Sequence, residues 1–519
     1  MLVLGSGETQ KIPIMRALIP STAILYLFLN VTLVVSLPAH VHAQEKQSIT
    51  QRIKSFVESS LTKTKKPPSI GVSIAEINGG DVYSKNASTL MKPASVLKVA
   101  TAYTALKLLK SSYRFPTEFF VDTMPYGESN SGSIGNLYVR GYGDPSLLDE
   151  HLWRVSQVLK ELGVKRVNSV VIDDSLFIDP QPPTGERTYQ AGLSATAINH
   201  NCYSVTVTPQ QLGDKALVSV DPGFHGKLSA NVKTTQGKGV KLGVTQIPSS
   251  LDSKMQWYDF QKFSRSQPFS VSHTLNITGS IGARAESQTM YFSLPYPFLY
   301  FGNTLTKILI QSGIEVSSES TRGETPSNAK KLYQHQSKPL GFIVNDLNHY
   351  SNNFIAGQIL YALGQDEVGV FRKEVAFKRI AESLEELGIA EGSYEMYDGS
   401  GLDHNNRMSA EQVMKILLAG YGDFSIQPDF VSSLSRFGVT GTLKKRILTG
   451  KHLNSNRAQR NVEGVWAKTG TLNGVSSLAG YVEGASGRRY AFVILLNNVA
   501  SKSHALAIEN GIVELLLGS

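Results

Sequence analysis

Two textures divide this chain of 519 residues, and their order restricts its fold. From about Tyr113 to Arg322, short β-branched runs alternate with Gly, Pro, Asp and Ser clusters, a pattern typical of strands and turns. On both sides of this stretch, apolar residues recur at helical spacing, as in residues 95–109 and 353–363. The sequence therefore predicts an α/β domain built from both ends of the chain and interrupted by a β-rich insertion.

Domain boundaries follow from this division. We expect residues 44–112 and 323–519 to form the α/β domain, and residues 113–322 to form the insertion, divided into two nested domains. Two strand-like segments, 478–482 and 489–496, and an amphipathic helix over 503–517 close the chain and should pack against its N-terminal strands.

The N-terminus resembles a secretory signal. Lys11 and Arg16 precede an apolar stretch from Ala23 to Leu37, and Ala43 ends a run suited to signal peptidase. Residues 1–43 are thus predicted to be a signal peptide, with Met1 and Met15 as alternative starts, and an uncleaved anchor remains the other interpretation. The protein is expected to be exported, to the periplasm or another extracytoplasmic space.

The charge and the single cysteine exclude several classes. The formal net charge is +9, but Lys and Arg are spread along the chain, which disfavours nucleic-acid binding and suits weak attraction to anionic lipid or cell wall. Cys202 is the only cysteine, so no intrachain disulfide can form, and we expect a buried thiol there. The chain lacks zinc and phosphate-loop motifs, so no metal or other cofactor is predicted.

Three short motifs occur in a fixed order: Ser95-Val96-Leu97-Lys98, Ser351-Asn352-Asn353 and Lys468-Thr469-Gly470. The first two are common by chance, whereas Lys-Thr-Gly should arise in only about one chain in ten of this size. The first motif opens a helix after a strand pair, the second opens another helix, and the third lies on a strand before a hairpin. Their order and placement make the combination much more specific than any one of them.

The first motif has a chemical explanation. Ser95 and Lys98 lie one helical turn apart on one face, so the amine can reach the hydroxyl and accept its proton if its pKa is lowered towards neutrality. A second cation such as Lys468 would lower it, and N–H groups at the helix N-terminus would stabilise an oxyanion. The structural alternative makes Ser95 an N-cap and Lys98 a solvated charge.

The other two motifs suit substrate binding. Ser351 would shuttle a proton, while the Asn353 amide would hold substrate and Lys98. Lys468 and Thr469 would grip a substrate carboxylate, and Gly470 would let substrate lie along the strand edge. The alternatives are a helix cap for Ser351 with Asn353 and an exposed strand end for Lys468 with Thr469.

Taken together, the three motifs resemble those of penicillin-binding proteins and serine β-lactamases. Three further runs resemble the D-alanyl-D-alanine carboxypeptidase/endopeptidase family of the penicillin-binding protein 4 type, and the likeness covers nearly the whole mature chain. They are Tyr138-Val139-Arg140-Gly141-Tyr142-Gly143-Asp144-Pro145, Asp398-Gly399-Ser400-Gly401-Leu402 and Lys468-Thr469-Gly470-Thr471-Leu472 with Leu478-Ala479-Gly480-Tyr481.

This resemblance implies a fold and an activity. The fold would be α/β, a transpeptidase/β-lactamase-like domain whose antiparallel sheet carries helices on both faces, with two inserted mainly-β domains. The activity would be serine-type cleavage of D-alanyl amide bonds in peptidoglycan stem peptides, with covalent inhibition by β-lactams. The resemblance implies Ser95 as nucleophile, Lys98 as base, Ser351 and Asn353 as the second motif, Lys468 and Thr469 as the carboxylate clamp, and N–H groups of Ser95 and Thr471 as the oxyanion hole.

Two positions test the resemblance. The family places an acidic residue of the insertion near the diaminopimelate side chain, and Asp173, beside Asp174, is the candidate, with a simple turn acid as the structural alternative. After Asp398-Gly399-Ser400-Gly401-Leu402 the family usually has Ser-Arg, whereas this chain has Asp403-His404, so His404 would replace the arginine only when protonated.

Other functions stay open from the sequence. A β-lactamase shares the acylation step, but the chain lacks the Glu-x-x-Leu-Asn run used for deacylation in the best-known class. A catalytically inactive wall-binding or scaffold protein would not need all the expected catalytic side chains. The balance between carboxypeptidase and endopeptidase action and the oligomeric state are left undecided.

Overall fold

A computed structural model describes residues 48–126, 131–221, 224, 226–247, 273–448, 450 and 464–519. The predicted signal peptide, residues 1–43, lies outside the described residues. No helix within the described part of the chain combines the length and apolar character needed to cross a membrane.

The α-helices of the described chain are numbered in order. They are α1 (48–62), α2 (Lys98–Leu109), α3 (Asp149–Glu161), α4 (Pro297–Gln311), α5 (Leu340–His349), α6 (Asn353–Leu363), α7 (Lys373–Glu385), α8 (Ala410–Gly422), α9 (Gln427–Ser432) and α10 (Lys502–Leu517).

The strands are numbered in the same way. They are β1 (Ser69–Glu76), β2 (Gly80–Lys85), β3 (Pro116–Val121), β4 (Ser133–Gly141), β5 (Arg166–Asp173), β6 (Cys202–Thr208), β7 (Leu217–Val220), β8 (Gly226–Thr235), β9 (Val240–Ile247), β10 (His273–Gly282), β11 (Gln288–Ser293), β12 (Glu315–Val316), β13 (Thr321–Arg322), β14 (Lys330–Gln336), β15 (Ser435–Arg436), β16 (Val465–Leu472), β17 (Val475–Glu483) and β18 (Arg489–Asn497).

One antiparallel sheet joins both ends of the chain, in the order β15-β16-β17-β18-β1-β2. Its central strand β18 is buried on both faces, because Phe492 and Ile494 pack with α1 and α10 while Val493 and Leu495 pack with α2, α5, α6 and α8. Helices therefore cover both faces of this sheet, and the α/β fold predicted from the two chain ends is confirmed.

The inserted region contains three further sheets within the described residues. A mixed sheet runs β12-β5-β4-β3-β14, with β13 also pairing with β5, and it packs against α3 and α4. Two three-stranded sheets, β8-β10-β9 and β11-β6-β7, share its hydrophobic core. Strand β14, at residues 330–336, pairs with β3 and so extends this sheet past residue 322.

The loop between β5 and β6 packs the inserted region against α6. Phe177 stacks on Tyr361 with ring centroids 4.3 Å apart, and Gln358 Nε2 donates a hydrogen bond to the Ser194 carbonyl over 2.9 Å. A Cβ on Gly357 would lie 2.6 Å from a Leu193 methyl, so a side chain there would displace the end of the Leu193 side chain from this contact. The helix that begins at Asn353 is thus fixed from both parts of the chain.

Candidate active site

Ser95 lies in a tight turn that leads into α2. The turn is a 3₁₀ segment, Ala94–Leu97, and the α-helix proper begins only at Lys98, slightly later than the sequence pattern predicts. Ala94 has a φ of 49°, a strained conformation for a residue with a side chain, of the kind that often marks functional sites. Ser95 makes no side-chain capping bond in this turn, so the N-cap alternative is not what the structure shows.

Lys98 is completely buried and makes three short contacts through its Nζ atom. Nζ donates to Ser95 Oγ over 2.9 Å, to Asn353 Oδ1 over 2.7 Å and to the Ser400 carbonyl over 2.6 Å. In the neutral amine two N–H groups would still serve Asn353 and Ser400, which leaves the lone pair facing the Ser95 hydroxyl. Three segments that are far apart in the sequence, at Ser95, Asn353 and Ser400, therefore meet at the Lys98 amine.

The second motif occupies the loop between α5 and α6. Asn352 is the N-cap of α6, since its side chain accepts a hydrogen bond from the Ile355 backbone N–H over 3.1 Å. Ser351, with a φ of 54°, is held in the left-handed region and makes contact with the third motif instead. Lys468 Nζ donates to Ser351 Oγ over 2.7 Å and to the Thr469 carbonyl over 3.0 Å.

The third motif lies on β16 directly beside the Ser95 turn. A Cβ on Gly470 would approach the Pro93 carbonyl oxygen to 2.7 Å and the Val96 amide nitrogen to 3.1 Å. Only a residue without a side chain lets the strand lie so close to the turn. Strand β15 pairs with β16 only at Trp466 and Ala467, so within the described residues the edge from Lys468 to Leu472 has no strand beside it.

Burial sets the charge states of the two lysines. It lowers the pKa of Lys98 to about 7, although the nearby Asp398 carboxylate opposes the shift. Burial, followed by the positive charge of Lys98, holds the pKa of Lys468 well below its usual value. From the sequence, the positive charge of Lys468 was expected to lower the pKa of Lys98. In the structure, the charge of Lys98 lowers the pKa of Lys468 instead. An approaching substrate carboxylate would raise the pKa of Lys468 again.

Sequence reasoning assigned no role to the loop at Asp398-Gly399-Ser400-Gly401. Gly401, with a φ of 79°, lies so close to Ala94 that a Cβ would meet its carbonyl oxygen at 1.9 Å. The loop delivers the Ser400 carbonyl to Lys98 and is fixed by Thr101 Oγ1, which donates to the Gly399 carbonyl over 2.7 Å. Its likeness to a family motif was the one available signal.

Thr442 is a second residue without a sequence signal. It is exposed, and its hydroxyl accepts a hydrogen bond from Thr469 Oγ1 over 2.8 Å. The Thr442 backbone N–H in turn donates to Ser435 Oγ over 3.2 Å. Thr442 therefore orients the Thr469 hydroxyl at the open strand edge.

Asp173, the candidate for a substrate contact, lies in a network of buried polar contacts. Its side chain is fully buried, accepts from Arg140 Nε over 3.0 Å and from the Thr325 backbone N–H over 2.8 Å, and also bonds Ser175. Burial alone would raise its pKa, but these hydrogen bonds outweigh burial and hold it below the usual value. This arrangement is a buried ion pair, and the contact with a diaminopimelate side chain stays a prediction.

The structure also describes His404 and Cys202, which the sequence analysis singled out. His404 is exposed, and its carbonyl accepts from Arg407 Nη1 over 2.7 Å. Cys202 is buried, which raises the pKa of its thiol to about 12 and agrees with the expectation of an inert thiol.

A cavity of about 790 Å³ opens beside the second motif and extends to the inserted region. Its walls include Ser351 and Asn353 on one side and Tyr189, His200 and Tyr291 on the other. Asn353 Nδ2 donates to the Tyr189 carbonyl over 3.3 Å, which ties the two walls together. The site is therefore open to a ligand larger than one amino acid.

Comparison with known proteins gives concordant matches. A "D-alanyl-D-alanine carboxypeptidase" of an Actinomadura strain is 27% identical over 455 residues, which cover 84% of this chain and 78% of the relative. The "D-alanyl-D-alanine carboxypeptidase DacB" of Haemophilus influenzae is 26% identical over 477 residues, 88% of this chain and 91% of that protein.

The fold is shared with a solved structure of penicillin-binding protein 4 from Haemophilus influenzae. That structure has a TM-score of 0.70 and 22% identity, with 90% of this chain and 99% of the other covered. A model of the D-Ala-D-Ala carboxypeptidase 3 (S13) family matches residues 56–517. Because that match spans most of the chain and includes all three motifs, the chain belongs to the D-Ala-D-Ala carboxypeptidase 3 (S13) family.

Proposed function

We propose that this protein is a serine DD-peptidase that cleaves D-alanyl amide bonds of peptidoglycan stem peptides through an acyl-enzyme on Ser95. The observation that carries the proposal is the 2.9 Å contact between Ser95 Oγ and a fully buried Lys98 amine, whose pKa is lowered to about 7. Near neutral pH a large fraction of Lys98 is then unprotonated and able to act as a base.

The acylation step follows from these contacts. Neutral Lys98 takes the proton of Ser95 Oγ as the oxygen attacks the D-alanyl carbonyl, and N–H groups of Ser95 and Thr471 stabilise the oxyanion. Collapse of the intermediate breaks the C–N bond, and the proton that Lys98 took from Ser95 passes through the Ser351 hydroxyl to the leaving amine, which returns Lys98 to its neutral form. Ser351 is held for this role by its contact with Lys468. Water then attacks the ester, its hydroxyl ends in the new carboxylate, and its remaining proton restores Ser95.

Substrate would bind along the open edge of β16. An extended peptide could add to Lys468–Leu472 as an antiparallel strand, with its terminal carboxylate near Lys468 and the Thr469 hydroxyl. Thr442 supports this clamp because its contact fixes the Thr469 side chain. Loss of one oxyanion N–H donor typically costs about 3 to 4 kcal/mol of barrier, so precise docking beside the turn is essential.

The proposal includes both carboxypeptidase and endopeptidase action. Both reactions pass through one acyl-enzyme and differ only in the size of the leaving amine. The cavity beside Ser351 and Asn353 has room for a leaving group larger than D-alanine. We therefore propose that this chain also cleaves cross-bridges.

Product analysis tests both activities. Purified protein would be incubated with a pentapeptide stem and, separately, with intact sacculi, and the products identified by mass spectrometry. We expect D-alanine from the first and uncrosslinked stems from the second, with neither product from Ser95→Ala. If the folded wild-type protein released neither, the catalytically inactive scaffold would be the better account.

β-Lactams should acylate Ser95 and remain bound. A structure of the Haemophilus influenzae relative, at TM-score 0.64 and 22% identity, is described as complexed with a β-lactam. We expect persistent labelling of this chain by fluorescent penicillin, lost in Ser95→Ala. Rapid turnover of the drug would instead identify a β-lactamase.

We further propose export with removal of residues 1–43. The signal pattern supports this, and weak attraction of the basic protein to anionic lipid or wall is compatible with it. N-terminal sequencing of the exported protein should begin at Gln44. A mature chain that retained the apolar stretch would favour the anchor interpretation.

A further inference from the structure

A basic groove lies at one end of the antiparallel sheet β15-β16-β17-β18-β1-β2, which we call the catalytic sheet because β16 carries Lys468 and Thr469. Its volume is about 550 Å³, and it is formed where β1 begins, β2 and β18 end, and β16 turns into β17. Three cations line it, Lys85, Lys92 and Arg407, and no Asp or Glu is among its lining residues. We call this cavity the basic groove.

The cations of the basic groove lack acidic partners. Within the described residues, the side chains of Lys85 and Lys92 form no ion pair, and both are half-buried. Arg407 donates from Nη1 to the carbonyls of His404 and Asn406, which are neutral acceptors. Three uncompensated charges on a low-dielectric wall create a field that attracts an anion.

The position of the groove relates it to the substrate strand. Its wall includes Asn473 and Gly474, which directly follow Leu472 at the end of β16. A peptide that adds antiparallel to β16, with its terminal carboxylate at Lys468, runs with its upstream residues towards this hairpin. At about 3.3 Å per residue, the hairpin is reached some two to three residues upstream of the scissile bond.

We propose that the basic groove binds a carboxylate carried by the stem peptide two residues before the scissile D-alanyl residue. This inference rests on the proposed function, because it assumes the same peptide and the same strand edge. The matching chemical class is a γ-linked D-glutamyl residue with a free α-carboxylate. The groove would distinguish this residue from its amidated form, γ-linked D-isoglutamine, which has the same shape and no charge.

A matched pair of substrates tests the inference. The probes are N-acetyl-L-Ala-γ-D-Glu-L-Lys-D-Ala-D-Ala and the same peptide with D-isoglutamine, and D-alanine release gives kcat/KM for each. We expect the wild-type protein to prefer the acid by about tenfold, with a preference that falls as ionic strength rises. In the double variant Lys92→Gln/Arg407→Gln, the ratio should approach one.

A control variant removes positive charge outside the basic groove. Lys378→Gln removes one positive charge, on α7, and should keep the wild-type ratio. Folding of each variant would be checked by thermal denaturation, and Ser95→Ala gives the blank. Equal kcat/KM values for the two peptides in the wild-type protein, or an unchanged ratio in a folded double variant, would overturn the inference while leaving the proposed function intact. Absence of D-alanine release from both peptides would count against the proposed function itself.

Discussion

At the scale of single residues, Lys98 is the centre of the proposed chemistry. Burial lowers its pKa to about 7, and the Asp398 carboxylate acts in the opposite direction. Asp398 does not contact Lys98 directly but organises the loop that does, since its side chain accepts from the backbone N–H groups of Ser400 and Gly401. The charge of Asp398 therefore adjusts the pH range in which Lys98 is a base.

The lowered pKa of Lys98 predicts how kcat/KM depends on pH. For the wild-type protein, kcat/KM should fall as pH decreases through about 7, because Lys98 becomes protonated. Asp398→Asn removes the charge that raises this pKa, so the acidic limb should move to lower pH. Asp423→Asn, which alters a carboxylate paired with Lys107, is the control and should leave the midpoint in place. A midpoint that did not move in a folded Asp398→Asn would exclude this role.

The ion pair of Asp173 with Arg140 predicts an effect on stability. Asp173→Asn should destabilise the protein by about 3 kcal/mol, the usual cost of breaking a buried pair. Its pKa is held low in the folded state, so the stability difference from wild type should shrink as pH falls below about 4.

Kinetics separates this role from the substrate contact expected by family resemblance. If Asp173 has only a structural role, Asp173→Asn should change kcat/KM in the same proportion for a peptide with diaminopimelate and for one with lysine at that position. Glu382→Gln, in an exposed pair with Lys378, should not measurably change the melting temperature. Selective loss of kcat/KM for the diaminopimelate peptide, without destabilisation, would support the substrate contact and contradict a purely structural role of Asp173.

At the scale of elements, the site depends on how closely β16 packs against the Ser95 turn. Gly470 permits that approach, and Gly401 lets the loop at residues 398–401 pack against the same turn, since a side chain on either glycine would collide with the turn. Local patterns predicted the strand, the helix and the hairpin well, because each is encoded by spacing and turn residues within a few positions. The contacts of Ser400 and Thr442 were not predictable, because Ser400 lies in an irregular loop and Thr442 in a single 3₁₀ turn, Gly441–Leu443, and neither segment is long enough to show periodicity.

Gly470→Ala tests the close approach. The added methyl would meet backbone atoms of Pro93 and Val96, so β16 should shift away from the turn and kcat/KM should fall by about 100-fold. Gly464→Ala is the matched control, because its methyl would find only ordinary contacts at 3.6 Å from Glu483. Activity equal to wild type in Gly470→Ala would show that this packing is unimportant. Thermal denaturation of both variants would separate a displaced strand from a misfolded protein.

At the scale of the whole molecule, the inserted region and the catalytic sheet build one cleft. The sequence predicted the insertion from its β-rich texture, but not its contact with α6, which joins residues far apart in the chain. Because β14 pairs with β3, we propose that the inserted domains extend to about residue 336 instead of residue 322. The inserted domains therefore account for most of the residues between Ser95 and Ser351.

Because the inserted region forms one wall of the cleft, a substitution on that wall should raise KM more for large substrates than for small ones. Tyr189 lies on the inserted side of the cavity with half of its surface exposed. Tyr189→Ala should raise KM several-fold for cross-linked stems and much less for a short D-alanyl-D-alanine peptide, with little loss of stability. Trp153→Ala, an exposed aromatic on α3 outside the cavity, should behave as wild type. Equal effects on both substrates would argue against a cleft built from both parts.

The central claim is that the Ser95 hydroxyl is the nucleophile activated by Lys98, and the most direct test is to locate the acyl group. Purified protein would be reacted with benzylpenicillin near pH 7.5, digested and mapped by tandem mass spectrometry. The account predicts one drug equivalent per chain, attached to Ser95, with no adduct in Ser95→Ala and greatly slowed labelling in Lys98→Met. An adduct on any other residue, or labelling of Lys98→Met at the wild-type rate, would contradict it.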